Sequence, residues 1–308
     1  MAFNDINTAY INSYRANIEL KYQQMSSRIR ERVMVEQQQA NRDFYDRIAP
    51  TSVVERTTRH ADTPLIPDVY DRRAITLRDW EWADLIDKQD RIRMLADPTS
   101  AYVRNSVAAF GRQMDSIICS AATGTAYGGS DGNTQVTFPN SGSYFPAGTN
   151  QQIPANYVES GSTTASNMTI GKLRKTMDIL KSQEAVDDGE MVTLVLAQSQ
   201  ITALLRTTEV TSQDFNSVKA LVSGSVDEFM GFKFVRTQQT LLASDGVTRS
   251  ALAFPQRGIT MALGMDVNVQ VDLRVDKSYA TQVYVGASFN ATRMWEAQVV
   301  EILCNESY

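Results

Sequence analysis

Asp187, Asp188 and Glu190 form the densest acidic cluster of the chain. Two carboxylates are all that glycoside-hydrolase-type acid and base chemistry requires, so an enzyme would be sought here first. Gly189 points the other way, because an Asp-Gly pair closes tight reversals, and the cluster reads as a turn. Nucleophilic chemistry finds no better footing. Cys119 and Cys304 are isolated in apolar surroundings, without CxxC spacing or an adjoining base to favour a thiolate, and read as buried reduced thiols. The single histidine, His60, lies in the polar stretch 56–62 and reads as solvated or interfacial, which removes most imidazole catalysis. None of the eight lysines sits beside a suggestive partner, and GxGxxG, GxxxxGK[ST] and HExxH are all missing. The expectation is a chain that is not an enzyme, with no catalytic residue, no cofactor and no metal site.

The elements that would position any site begin with an unfinished stripe. Over residues 10–48 the apolar positions Ile11, Tyr14, Ile18, Tyr22, Met25, Ile29 and Val33 recur at steps of three or four, opposite Gln, Arg and Glu, and neither Pro nor Gly intervenes before Pro50. This predicts a long helix with no domain of its own, whose stripe needs apolar surface from elsewhere. The alternative is an ordinary surface helix folded back on its own domain. A sustained coiled coil is disfavoured because the repeat fades over residues 36–41.

Residues 1–100 hold 31 of the 65 charged side chains, 16 acidic and 15 basic. Within them, extended pieces at 51–56 and 74–82 flank Thr63-Pro64-Leu65-Ile66-Pro67, whose prolines forbid helix and regular ladder. A two-stranded excursion results. Its arginines alternate with Asp62, Asp68, Asp71 and Asp79, and it has too little apolar surface to stand alone. Asp97 and Pro98 then open a helix with the stripe Val103, Val107, Phe110, Met114, Ile117 and Ile118, closed near Gly124. Residues 123–166 are rich in Gly, Ser, Thr, Asn and aromatics and read as an ordered β-rich insertion or surface loop. Texture of α/β type resumes with a helix capped at 167–169 that carries Ile170, Leu173, Met177 and Leu180. The Asp187 turn, a strand at 191–197, helices at 198–206 and 214–222 and a strand at 233–236 follow. Beyond Gly264, Val267, Val269, Val271, Leu273 and Val275 alternate with polar residues as a half-buried strand does, and strands at 281–289 and 295–303 close the chain.

With 308 residues, 43% of them hydrophobic, the chain can bury a real core in one or two domains. A net charge of -5 offers no footprint for wrapping nucleic acid. No leader or spanning segment is evident, so the protein is expected to be soluble and intracellular when made. Arginine outnumbers lysine 22 to 8, which suits bidentate contacts with carboxylates at protein interfaces.

Taken in order, these features resemble a known family. The pieces that carry the resemblance are Phe229-Met230-Gly231-Phe232-Lys233-Phe234-Val235 and Phe254-Pro255-Gln256-Arg257-Gly258-Ile259-Thr260-Met261-Ala262. Over nearly its whole length the chain is similar to the major capsid proteins of tailed bacteriophages, which have the Hong Kong 97-type fold. The resemblance implies an α+β fold with an N-terminal arm (1–50) and an extended β-hairpin loop (51–80) lying over an adjacent subunit. It implies a peripheral domain in two parts: 81–167, with a long spine helix (97–122) and an insertion (123–166), and 259–308. Between them lies an α/β axial domain (168–258).

The function implied is a structural major capsid protein that self-assembles as hexamers and pentamers into an icosahedral head shell. The shell would enclose double-stranded DNA without reading its sequence, and a mildly acidic subunit would not grip genome phosphates. Implied partners are copies of itself, a portal protein, a separate scaffolding protein and a cement protein, without a membrane. The implied location is the virion, assembled in the host cytoplasm. Inter-subunit contacts are expected from Ile11, Tyr14, Ile18, Tyr22, Met25 and Ile29 of the arm and Arg56, Arg59, Arg72, Arg73 and Arg78 of the loop. Some family members crosslink a loop lysine to a neighbour's asparagine; residues 51–80 contain no lysine, so noncovalent contacts are expected. Removing residues 1–50 is expected to leave a folded subunit unable to build a shell. Two alternatives stay open: an oligomeric binding or adhesion module using the aromatic block, and a carboxylate-dependent hydrolase at Asp187, Asp188 and Glu190.

Overall fold

The helix expected from the stripe beginning at Val103 is α1, Thr99–Thr123, in a computed structural model that describes residues 23–59, 62–87, 99–138, 151–159, 164–206 and 228–307. Its proposed cap, Asp97 and Pro98, lies outside the described residues, as do His60 and the expected helix at 214–222. One face of α1 buries Ala108, Phe110, Met114, Ile118, Cys119 and Ala122. That face rests on a long antiparallel pair, β12 (Ile259–Arg274) and β13 (Ala280–Arg293). The pair is flanked by β1 (Met34–Gln37), parallel to β12, and by β4 (Asp79–Ile86), antiparallel to β13, which gives the sheet order β1-β12-β13-β4.

A second sheet has the order β7-β14-β11-β8-β10-β9, formed by Gln152–Ile153, Val300–Asn305, Thr248–Phe254, Val192–Leu196, Phe232–Arg236 and Glu228–Phe229. Every residue of β8 is buried, because this sheet is covered on both faces. Leu194, Leu196, Ala251 and Ala253 pack with α2 (Ile170–Ser182) and α3 (Gln198–Leu205). Val195, Leu252 and Phe254 face the opposite way and join Phe110, Met114, Met261 and Phe289 in the core beneath α1. A smaller antiparallel sheet runs β2-β3-β5-β6, from Arg42–Ile48, Tyr70–Thr76, Ala126–Gly128 and Thr134–Val136.

Three expectations change. The helix predicted over 10–48 is not formed in its described part, 23–48: Arg30–Arg32 is one 3-10 turn, followed by β1 and β2. The four-residue step from Ile29 to Val33 inserts both side chains into the core under α1, and Phe44, Tyr45 and Ile48 beyond them favour strand. The excursion's strands are β2 and β3, paired from Arg42 opposite Thr76 to Ile48 opposite Tyr70, so residues 49–69 form a longer connection than expected and 51–56 belong to no strand. Finally, β14, grouped by sequence with the second peripheral part, is inserted between β7 and β11 in the six-stranded sheet.

Thr169 caps α2 by accepting from the Lys172 backbone N–H at 3.3 Å. The Lys172 side chain is fully buried, and its Nζ donates to the carbonyls of Ala155 (3.0 Å), Ser166 (2.8 Å) and Leu303 (2.9 Å). One ammonium therefore joins the segment before α2 to β14. Lys172→Met is expected to lower the free energy of unfolding by about 1–3 kcal/mol, since three half-buried carbonyls lose the ammonium that joins them. A urea midpoint equal to wild type would refute this.

Candidate assembly surfaces

The connection 49–69 leaves the body of the protein between β2 and β3 with Val53, Val54, Leu65 and Val69 uncovered: Val53 is 95% exposed and Leu65 94%. Its root is the opposite. Arg47 and Arg73 point inward from β2 and β3 to meet Arg293, and the three guanidinium groups surround a single glutamate, Glu296. Arg73 pairs directly with Glu296, Arg47 lies 3.6 Å from its second oxygen, and Arg293 Nε lies 3.8 Å from the first. Arg47 also pairs with Asp71 and stacks over Trp295 at 4.5 Å. Arg293 donates to the carbonyls of Ala122 and Gly124, both at 2.9 Å, tying the end of α1 to the cluster. Burial pushes Arg73 down to about 9 and Arg293 to about 10, aided in both by the charge of Arg47.

A second anchorage lies at the other end of the N-terminal segment. Asp115, fully buried on α1, accepts from Gln24 Nε2 and Ser27 Oγ at 2.5 Å, from the Arg28 N–H at 3.1 Å and from the Ile29 N–H at 3.2 Å. One turn earlier is Gly111, where a Cβ would stand 2.7 Å from the Ser27 nitrogen. The segment thus crosses the helix where the helix has no side chain.

The expected contact residues fall into distinct groups. Ile11, Tyr14, Ile18 and Tyr22 lie outside the described residues. Met25 is half exposed on the rim of a cavity of about 500 Å³ that Val35, Val107 and Val267 also line. Arg56 and Arg59 are exposed on the long connection. Arg72 is exposed and bonds Asp46 across the strands at 2.7 Å, and exposed Arg78 lines a second cavity of about 530 Å³ beside Trp80 and Tyr127. Ile29 and Arg73 are corrections. Both are buried within their own chain, Ile29 beneath α1 and Arg73 against Glu296, and have no surface to offer a neighbour. Arg47, Arg293, Glu296, Gly111 and Asp115 escaped the sequence reading. The pair on α1 had a usable signal, a glycine and an acid one turn apart near the apolar stripe.

A further apolar row lies at the far end of the β12–β13 hairpin. Val267 and Val269 pack against the core, but Val271 and Leu273 further along β12, and Val275 in the turn after it, are 47%, 59% and 67% exposed.

The acidic cluster forms the expected turn: Gly189 has φ of 94° and the Glu190 N–H donates to the Asp187 carbonyl at 3.0 Å. Arg257 holds Asp187 at 2.8 Å and Glu190 at 2.9 Å, which leaves no opposed pair of free carboxylates. Burial pushes both thiols, Cys119 and Cys304, up to about 12. Among the described residues no group of His, Cys, Asp or Glu could hold a metal, and no helix is long and apolar enough to cross a membrane.

Comparison with known proteins gives this geometry its context. A family model described as phage capsid protein matches residues 6–306. No curated protein matches. Among solved structures, the capsid of cyanophage P-SCSP1u superposes with a TM-score of 0.73 at 11% identity, covering 99% of this chain and 96% of that chain. The capsid of cyanophage Pam1 gives 0.71 at 11% identity, with 99% of each chain covered. That of Helicobacter pylori bacteriophage KHP30 gives 0.70 at 10% identity, covering 100% of this chain and 99% of that one.

Proposed function

Because the chain belongs to the phage capsid protein family and has the Hong Kong 97-type fold, we propose that this structural capsid protein is the major shell subunit. It assembles as hexamers and pentamers, through noncovalent contacts, into an icosahedral head around double-stranded DNA. The observation that carries this reading is the 49–69 connection, apolar at its surface and held at its root by buried ions. Apolar side chains exposed to this extent on a rigidly founded loop suit a surface that a second subunit covers.

In this reading residues 51–80 supply the extended loop, and α1 with the sheet β1-β12-β13-β4 forms the peripheral domain. The six-stranded sheet with α2 and α3 forms the axial domain, completed by β14. From Gln23 onward the chain belongs to the folded body, since Gln23 bonds Arg112, Gln24 bonds Asp115, and Ile29, Val33, β1 and β2 join its core and sheets. Portal, scaffolding and cement proteins are the further partners of such a shell, and host cytoplasm is its place of assembly.

Electron microscopy of the expressed protein, with light scattering on the same sample and any separate scaffold added, is the direct test. Wild type is expected to give closed shells, sheets or rings of five and six. Val53→Asp combined with Leu65→Asp is expected to leave the unfolding midpoint within about 0.5 kcal/mol of wild type, as surface changes do, while shells are lost. Denaturing gels of purified particles are expected to show one band at subunit mass. A small fixed oligomer under all conditions, or a covalent ladder, would overturn the respective claims.

A further inference from the structure

We propose that the notch between the 23–28 segment, α1 and the end of β10 is a binding site for a phosphate oxyanion. Arg28, Arg112 and Arg236 line one cavity of about 440 Å³, and no Asp or Glu is among its described lining residues. None of the three has a carboxylate within ion-pair distance among the described residues. Each is held by neutral groups instead. Arg28 Nη1 donates to the Arg236 carbonyl at 2.6 Å, Arg112 Nη1 to Gln23 Oε1 at 2.7 Å, and Arg236 Nη1 to Gln198 Oε1 at 3.0 Å.

This is unlike arginines elsewhere on the molecule, where Arg30 meets Asp266, Arg249 meets Glu306 and Arg257 meets Asp187. Asp115 is near in the chain, but it is buried outside the cavity and receives bonds from Gln24, Ser27, Arg28 and Ile29. The backbone of Arg28 is thereby fixed, and Arg112 stands on a rigid helix. Three preorganised guanidinium groups around one cavity repel each other until an anion enters.

The donors come from three separate segments, which suits a tetrahedral ligand with several charged oxygens better than a planar carboxylate with two. Gln198, the first residue of α3, also lines the cavity, so the positive end of that helix adds to the field. A bound oxyanion would link β10 and α3 to α1 and the N-terminal segment. Free phosphate and the phosphodiester of nucleic acid offer the same chemistry. A local site of this kind is compatible with an acidic subunit that does not wrap nucleic acid.

The test compares thermal unfolding of the full chain in potassium phosphate and potassium chloride of equal ionic strength, alongside anisotropy of a labelled oligothymidylate. Phosphate is expected to raise the unfolding temperature beyond chloride, and Arg112→Gln to weaken its apparent affinity about ten-fold. Arg236→Gln, at a more exposed position, is expected to do the same and serves if the first variant misfolds. Oligothymidylate that binds, is displaced by phosphate and is lost in the same variants identifies a phosphodiester. A phosphate response that is weakened in the variants but without such competition identifies the free ion. Phosphate acting no differently from chloride, or an undiminished response in both variants, overturns the site.

Discussion

Glu296→Gln is expected to lower the unfolding free energy by about 3–5 kcal/mol. The change is nearly isosteric, so packing is preserved and the effect isolates charge. In wild type, Arg47, Arg73 and Arg293 share that carboxylate, and among the described residues the only other anion paired in the cluster is Asp71. Without Glu296, Arg73 and Arg293, both fully buried, have no carboxylate partner among the described residues. The control is Arg72→Gln, which breaks an exposed pair with Asp46 and is expected to cost less than about 1 kcal/mol. Urea denaturation of the soluble subunit separates the two. Combining Glu296→Gln with Arg73→Met is expected to recover part of the loss, because removing both partners of a buried pair leaves no unpaired charge between them. A Glu296→Gln midpoint no lower than that of Arg72→Gln would show that the root of the loop is not held by this cluster.

Neighbouring residues in this region show why sequence resolved some of the architecture and missed the rest. The α1 and α2 stripes, the β8 run and the Asp-Gly turn were legible because each depends on spacing within one element. Arg72 and Arg73 look alike in sequence, but strand geometry sends one to solvent and the other into the body. Which is which follows from the pairing of Tyr45 with Arg73, a long-range fact. The same limit hid the insertion of β14 between β7 and β11. Over residues 29–48 the error had a different origin. Ile29 and Val33 have helical spacing but are buried on either side of a single 3-10 turn, and what stabilises the segment afterwards is the parallel ladder of β1 with β12. Tertiary pairing overrode a weak local preference.

That same segment supplies the second large effect. Asp115→Ala is expected to destabilise the subunit by about 3 kcal/mol or more, since two backbone N–H groups, a hydroxyl and an amide lose one shared acceptor. Gly111→Val is expected to act in the same direction by a different route, because its Cβ would stand within 3 Å of the Ser26 and Ser27 backbone, which has no flexible end to move aside. Deleting residues 1–22 is expected to leave the unfolding midpoint of the subunit near wild type while abolishing shells. Deleting residues 1–50, which from sequence should leave a folded subunit, is instead expected to unfold it, because Ile29, Val33, β1 and β2 go with the arm. Circular dichroism and urea titration read the fold, and electron microscopy reads assembly. The two deletions together locate where the chain stops serving its own core and starts serving its neighbours. If both truncated proteins fold equally well, Asp115 is not the anchor. If the shorter deletion still builds normal shells, the arm is dispensable and the burden of assembly falls on the 49–69 connection.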